Sequence, residues 1–364
     1  MKRIAYIVLL LALIFTFTSV AGAAETSAGL TLEEAQKQAL ANSRQAAIDD
    51  LDIKAKETAL EQAKEDAGMA GDTYGAYAVL SSRISKEVTP AQAETTLAVA
   101  VRTKKDNAEQ LKLNVTTVFQ NIFLAQKELD NENKKLAFAK ERLAMAQTRY
   151  AAKTITEDDL ETAQYNVETK QLDIYNVQEK LKTLDMQLKN LLNLPLEGDM
   201  LVAAGEIKLQ NLIDIDINKV VADYLETDTK TFKAAEDYKA AKKTMDLTEE
   251  LLDAGDQTYD DNRTALETAS RNYADAKSSR ETDIRNTYNE LLNLKDTADL
   301  SVKYVALASS KLDNARIRYD KGLISKDAYM SEQENYLGAE YANYKAICDF
   351  NNKKAEFVNM TRPE

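Results

Sequence analysis

The stretch RYDKGLISKDA, residues 318–328, has a near copy, RYAAKTITEDD, at residues 149–159. Each of the two stretches interrupts a long run of helix-favouring residues. Both hold an arginine-tyrosine pair, then a hydroxyl residue with at least one acid in the next two positions, which is the pattern of a turn that ends one helix and caps the next. A chain that carries the same turn twice at matching places indicates an internal duplication of a helical hairpin.

The similarity between the copies extends well beyond the turns. The shift that superposes the two turns also places Val115 on Ile284 and Leu143 on Leu312, with no gap between them. Other superposed pairs are Phe119 and Tyr288, Ile122 and Leu291, Ala146 and Ala315, Gln164 and Gln333, and Tyr175 and Tyr344. At longer offsets, Leu32 and Leu40 match Ile217 and Leu225, and Asp66-Ala67-Gly68 matches Asp253-Ala254-Gly255.

These matches predict the domain organisation. The first repeat spans residues 24–193, a connector spans 194–214, and the second repeat spans 215–364. Each repeat is expected to hold a leading helix followed by a long helical hairpin. The period is too long, and the copies too few, for a solenoid.

The composition of the chain predicts an all-α fold made of long antiparallel helical hairpins, with little or no β-structure. Between Gly75 and Pro195 the only helix breaker is Pro90, and Ala, Leu, Glu, Lys and Gln dominate this span. Apolar residues recur there at three-four spacing, as in a coiled-coil seam or an ordinary helical bundle. The seam positions include Val115, Val118, Ile122, Ala125, Leu129, Leu136, Ala139, Leu143, Ala146 and Tyr150.

The N-terminus has the pattern of a secretory signal peptide, residues 1–23. Lys2 and Arg3 precede an apolar run from Ile4 to Phe17, and Ala21-Gly22-Ala23 supplies small residues at the cleavage spacing. A bilayer-spanning anchor needs about 20 apolar residues, more than this run provides. The sequence therefore predicts an exported protein of the cell envelope.

Charge and composition disfavour two classes of function. The formal net charge of −13 disfavours nucleic-acid binding, which depends on Lys and Arg. The chain has no histidine, and Cys348 is its only cysteine, so the residues most used in acid–base chemistry and zinc ligation are nearly absent. We therefore expect neither an enzyme nor a bound cofactor or metal.

The two turns contain residues that favour helix ends. Thr156 and Ser325 are expected to cap the returning helices, and acids follow at Glu157, Asp158 and Asp327. Gly322 can adopt the left-handed backbone that often ends a helix. Lys153 takes its place in the first copy, so that turn is expected to close differently.

Three stretches resemble the TolC-like outer-membrane efflux family. They are LTLEEAQKQALANS at residues 30–43, LKNLLNLPLEGDMLV at 188–202 and RYDKGLISKDAYMSEQ at 318–333. The first copy echoes the last of these as RYAAKTITEDDLETAQ. Together with the duplication and the signal peptide, the resemblance covers nearly the whole mature chain.

The resemblance implies a homotrimer that forms a hollow helical tunnel for efflux or secretion. It also implies a periplasmic adaptor protein and an inner-membrane pump as partners, with the turns docking the adaptor at the mouth of the tunnel. The turn residues are Lys153, Thr154, Ile155 and Thr156 in the first copy and Gly322, Leu323, Ile324 and Ser325 in the second. The implied tunnel-mouth acids are Asp158, Asp159 and Asp327, although Ala328 stands where the family places an aspartate in the second copy.

The sequence departs from the family at the place where each half inserts a pair of membrane strands. TYGAYAVLSSRIS at 73–85 and TTLAVAVRT at 95–103 could form one weak strand pair, and residues 255–273 contain nothing comparable. We expect the strands, and with them the membrane barrel, to be absent, which leaves membrane contact open. The alternative function is a barrel-less exported coiled-coil protein with a structural or interaction role in the envelope.

Overall fold

The computed structural model describes residues 30–71, 74–198, 207–212, 215–225 and 227–361. The predicted signal peptide, and residues 199–206 and 213–214 of the predicted connector, lie outside these ranges. The described residues form nine α-helices: α1 Leu32–Ala41, α2 Arg44–Met69, α3 Ala76–Glu87, α4 Thr89–Ala151, α5 Glu157–Leu191, α6 Ile217–Tyr224, α7 Thr229–Glu249, α8 Gln257–Asp320 and α9 Lys326–Met360.

The all-α prediction is confirmed. The two longest helices, α4 with 63 residues and α8 with 64, each turn back into a helix of 35 residues, α5 or α9. The described residues contain no β-strand. None of the described helices combines the length and the apolar character needed to cross a bilayer.

The long helices form one layer. The helix α4 packs against α2 and α5, and also against α7 and α9, while α8 packs against α7 and α9. The Asn107 amide on α4 donates to Asp49 on α2 at 3.0 Å, and Lys180 on α5 pairs with Glu128 on α4 at 2.8 Å. Therefore α2 lies along the N-terminal half of α4 and α5 along its C-terminal half. The order across the layer at the turn end is α5, α4, α9, α8.

Each long helix is anchored by matched core residues near its middle. Val115 and Ile284, which superpose in the two copies, are both fully buried, and so are Ile122 and Leu291. The first core also contains residues of α1 and α5, and the second contains residues of α6 and α9. The predicted seam is therefore buried here, although its last position, Tyr150, is 41% exposed.

The helix α3 has no counterpart in the second copy. The chain from Asp66 to Val115 is longer than the matching chain from Asp253 to Ile284, so the first copy holds extra residues in between. In α3, Leu80 is 3% exposed and packs in one cluster with Leu247 of α7. The helix thus joins the two halves at the end of the layer opposite the turns.

The two segments that could have formed strands are helical in most of their described residues, and residue 73 of the first lies outside the described ranges. Residues 76–85 lie in α3 and residues 95–103 lie in α4. Pro90 stands in the first turn of α4, where its missing N–H costs no helical hydrogen bond, and an alanine-rich sequence follows. The expectation that the strands are absent holds for these residues.

Candidate functional site

Both turns close in the same way. Lys153 has a φ of 57° and Gly322 a φ of 69°, so both hold the left-handed backbone. The N–H of Lys153 donates to the carbonyl of Tyr150 at 2.8 Å, and that of Thr154 donates to Arg149 at 2.9 Å. These two bonds define a Schellman motif.

The second turn repeats the motif bond for bond. The Gly322 N–H donates to Tyr319 at 2.8 Å and the Leu323 N–H to Arg318 at 2.8 Å. The expectation that the first turn closes differently is therefore wrong. The two backbone bonds, supported by a bond from the Thr154 hydroxyl to the Arg149 carbonyl at 2.9 Å, hold Lys153 in a conformation that its side chain disfavours.

Thr156 and Ser325 cap the returning helices, as predicted. Thr156 forms a capping box: its hydroxyl accepts from the Asp159 N–H at 3.2 Å, and Asp159 accepts from the Thr156 N–H at 2.9 Å. The Ser325 hydroxyl accepts from the Ala328 N–H at 3.1 Å, but no reciprocal bond forms because the Ala328 side chain has no acceptor for the Ser325 N–H. The backbone and hydroxyl bonds from Thr156 lower the pKa of Asp159 below its usual value.

The other two predicted tunnel-mouth acids have different surroundings. Asp158 is exposed. Asp327 accepts from the Nε of Arg142 on α4 at 2.6 Å, so it joins the two hairpins. The structure therefore separates the three acids into a helix cap, an exposed carboxylate and a member of an ion-pair cluster.

Arg142 is the central cation of this cluster, and sequence reasoning missed it. Its guanidinium also pairs with Glu334 through two contacts, at 2.7 and 3.1 Å. Hydrogen bonding to Glu334 raises the pKa of Arg142 above its ordinary value, against the effect of partial burial. A second pair, Lys326 with Glu141, lies beside it. The hairpins are thus joined near their turns by charges on α4 and α9.

The contacts between α4 and α9 show that the first turn extends beyond the second. From the helical rise, Arg142 lies about 16 Å before Lys153, whereas its partner Asp327 lies only about 7 Å after Gly322. The Asn131 amide donates at 3.1 Å to the carbonyl of Leu337. From the helical rise, Asn131 lies about 33 Å from Lys153, and Leu337 lies about 22 Å from Gly322. The first turn therefore extends about 9 Å further along the layer.

The remaining turn residues are mostly accessible. Leu323 is 66% exposed, whereas Ile155 and Ile324 are half-buried. Ile155, Arg142 and Asp159 contribute to the lining of an open groove of about 610 Å³ between the helices. Among the described residues, no group of three or more His, Cys, Asp or Glu side chains is placed to hold a metal ion. The described turn residues therefore present an accessible surface and a cluster of ion pairs.

The chain matches known proteins in its fold but not in its sequence. No protein-family model matches the chain, and no curated protein matches it. Solved structures do match. The outer membrane protein VceC of Vibrio cholerae is 11% identical with a TM-score of 0.66, covering 91% of this chain and 95% of that one.

Two solved outer membrane channels give similar values. The Campylobacter jejuni CmeC channel is 13% identical with a TM-score of 0.64, covering 94% of this chain and 90% of that one. The Neisseria gonorrhoeae MtrE channel in its open state is 14% identical with a TM-score of 0.64, covering 91% and 88%. The chain therefore has the helical fold of the TolC-like outer-membrane efflux channels over most of its length.

Proposed function

We propose that the chain is the subunit of a TolC-like efflux or secretion duct. Three copies form a ring whose helical layers enclose a tunnel, and the turns dock a periplasmic adaptor joined to an inner-membrane pump. The duct exports small molecules or proteins across the cell envelope. The observation that carries the proposal is the single layer α5, α4, α9, α8, which has two open edges and the fold of known channels over most of its length.

The shape of the layer supports a ring. A layer one helix thick leaves two faces and two edges uncovered, and much apolar surface remains exposed on the outer helices, including Leu172 at 57% and Leu300 at 66%. A ring of copies covers the edges and leaves one face lining a tunnel. A helical layer that closed on itself within one chain would leave no such edges.

The turns suit adaptor docking because they present similar backbones at one end of the layer. Three copies would place six Schellman turns around one mouth, three extending about 9 Å beyond the others. Leu323 is the large apolar side chain most exposed at the second turn, and Thr154 stands at the matching position of the first.

The first experiment is light scattering on the mature protein in mild detergent, alone and with the periplasmic adaptor of its host. A trimer in either condition supports the duct. A chain that stays monomeric in both conditions counts against it.

The second experiment tests docking by pull-down of that adaptor with Leu323→Asp. Leu51→Asp is the matched control, because Leu51 on α2 is 70% exposed and lies far from the turns. We expect the Leu323 variant alone to lose adaptor capture while both keep the wild-type melting temperature. Equal capture by both variants removes the docking role.

One observation favours the alternative, an exported structural or interaction protein of the envelope. Residues 76–85 and 95–103 are helical where the family resemblance places membrane strands. The first of these segments lies in α3, which packs against α7. The light-scattering result separates the two functions, since a spacer protein has no need of a threefold ring.

A further inference from the structure

The outer face of α5 carries a regular stripe. Its positions follow heptad spacing, alternating steps of four and three, and so lie on one side of the helix: Glu161, Tyr165, Glu168, Leu172 and Tyr175. All five are exposed, with Tyr165 at 68% and Tyr175 at 56%. The buried residues of α5, such as Leu181 and Leu184, lie on the opposite side against α4. We call this set the α5 stripe.

The helix α8, at the other edge of the layer, carries a second stripe with the same spacing: Leu300, Tyr304, Leu307, Lys311, Asn314 and Arg318. Its apolar members are 51% to 66% exposed. The alanines Ala298, Ala308 and Ala315 of the same helix are buried, and Ala298 packs in the second core with residues of α9. We call this set the α8 stripe.

The two stripes are complementary in charge and in apolar character. Counted from the turns, the α5 stripe presents Glu161 and Glu168 before Leu172 and Tyr175, and the α8 stripe presents Arg318 and Lys311 before Leu307 and Tyr304. None of these four charged side chains forms an ion pair with the described part of its own chain. Each stripe therefore lacks a partner that the other stripe would supply.

The stripes also match in height, that is, in their positions along the helix axis. From the helical rise, Glu168 lies about 22 Å from the first turn, and Lys311 lies about 16 Å from the second. Since the first turn extends about 9 Å further, the two side chains differ in height by only about 3 Å along the axis. The same difference applies to Glu161 with Arg318, Leu172 with Leu307, and Tyr175 with Tyr304. A ring of copies related by rotation keeps these heights equal.

We infer that the α5 stripe of one copy packs against the α8 stripe of the next, a contact that rests on the proposed ring. Such a head-to-tail contact between two different surfaces generates a ring when its rotation closes. Contact between two α5 stripes would instead bring Glu161 and Glu168 near the same acids of the other copy. Like charges across an interface are strongly unfavourable, so the acids select the α8 stripe as partner.

A charge exchange tests the pairing. Glu168→Lys places a cation opposite Lys311, and Lys311→Glu places an anion opposite Glu168. We expect either variant to raise the concentration at which the trimer dissociates by about tenfold or more, because each ring contains three such contacts. The double variant Glu168→Lys with Lys311→Glu should restore the wild-type value. Circular dichroism checks that all three variants remain folded.

Cysteine cross-linking provides a second test that does not depend on affinity. In a Cys348→Ala background, Leu172→Cys combined with Leu307→Cys should give covalent dimers and trimers on oxidation, while either cysteine alone should not. Leu172→Cys with Leu300→Cys is the matched control, offset by about 13 Å along the axis.

The outcomes separate the two proposals. A wild-type chain that is monomeric with its adaptor overturns the ring itself. If the wild type is a trimer but the charge-exchange variants dissociate at the same concentration as it does, the α5–α8 contact is wrong. The contact is also wrong if the control cysteine pair cross-links as well as the test pair. Either result leaves the duct proposal standing.

Discussion

Lys153 and Gly322 hold the same left-handed backbone at matching positions of the two hairpins, with φ values of 57° and 69°. The two turns therefore have one backbone geometry but different conformational costs. A side chain in this region costs roughly 1–2 kcal/mol, whereas glycine adopts it freely. The first turn retains the motif because its hydrogen bonds and the flanking helices hold it in place.

The first prediction concerns these two residues. Lys153→Gly should raise the free energy of unfolding by about 1 kcal/mol, and Gly322→Ala should lower it by a similar amount. No heavy atom lies within 4 Å of a Cβ placed on Gly322, so the loss reflects backbone strain rather than a clash. Chemical denaturation of the mature chain measures both changes.

Gly338→Ala serves as the matched control for that pair. Gly338 lies inside α9 with equally open space around its Cβ position and without a positive φ. Alanine there should stabilise the chain, since glycine costs about 1 kcal/mol in a helix interior. A loss of stability in Lys153→Gly would contradict the strained-turn account.

The second prediction concerns the unequal caps. Thr156→Ala should lower the free energy of unfolding by about 1 kcal/mol, and Ser325→Ala by less, since only Thr156 takes part in a reciprocal box. Because the folded pKa of Asp159 is lowered, its contribution is present above the unfolded pKa of about 4 and is lost as pH falls through the folded pKa.

Urea unfolding at several pH values checks this sign. The difference in midpoint between the wild type and Asp159→Asn should be largest near neutral pH and should shrink below about pH 4. A difference that grows on acidification would show that Asp159 does not act through its carboxylate.

The third prediction concerns the link between the hairpins. A double-mutant cycle with Arg142→Met and Glu334→Gln should give a coupling free energy of about 1 kcal/mol that decreases with added salt, because the pair is bidentate and half-buried. The control cycle uses Lys182 and Glu179, a more exposed pair on α5, where we expect coupling near zero. Equal couplings in the two cycles would show that the Arg142 cluster adds nothing beyond a surface pair.

Some of these features could be predicted from the sequence and others could not. The caps at Thr156 and Ser325 were predictable because a hydroxyl before an acidic first turn acts locally. The left-handed Lys153 was not, because lysine has no preference for that region and the conformation is imposed by the turn as a whole. Arg142 was hidden for another reason: its partners Asp327 and Glu334 are 185 and 192 residues away in sequence. The matching position of the other copy, Lys311, makes no such link to the described residues of its chain.

The fourth prediction concerns Cys348. This thiol is 1% exposed, and burial raises its pKa to about 12. Since the thiolate is the reactive form, labelling with a maleimide at pH 8 should be slow in the native protein and rapid in urea. Rapid labelling without denaturant would show that this part of α9 opens readily.

The fifth prediction concerns the helix that has no counterpart in the second copy. Leu80→Ala in α3 should lower the free energy of unfolding by about 3 kcal/mol, because a side chain 3% exposed leaves a cavity against Leu247. Met69→Ala, at a position 72% exposed near the end of α2, is the control and should change stability by less than about 0.5 kcal/mol. Two ion pairs also connect α3 with α7 and the residue after it: Glu87 with Lys243, and Arg83 with Glu250. Both pairs lie at the surface and cannot replace the lost packing. If Leu80→Ala unfolds at the wild-type denaturant concentration, α3 is only an appendage on the layer, and the view that it joins the two halves is wrong.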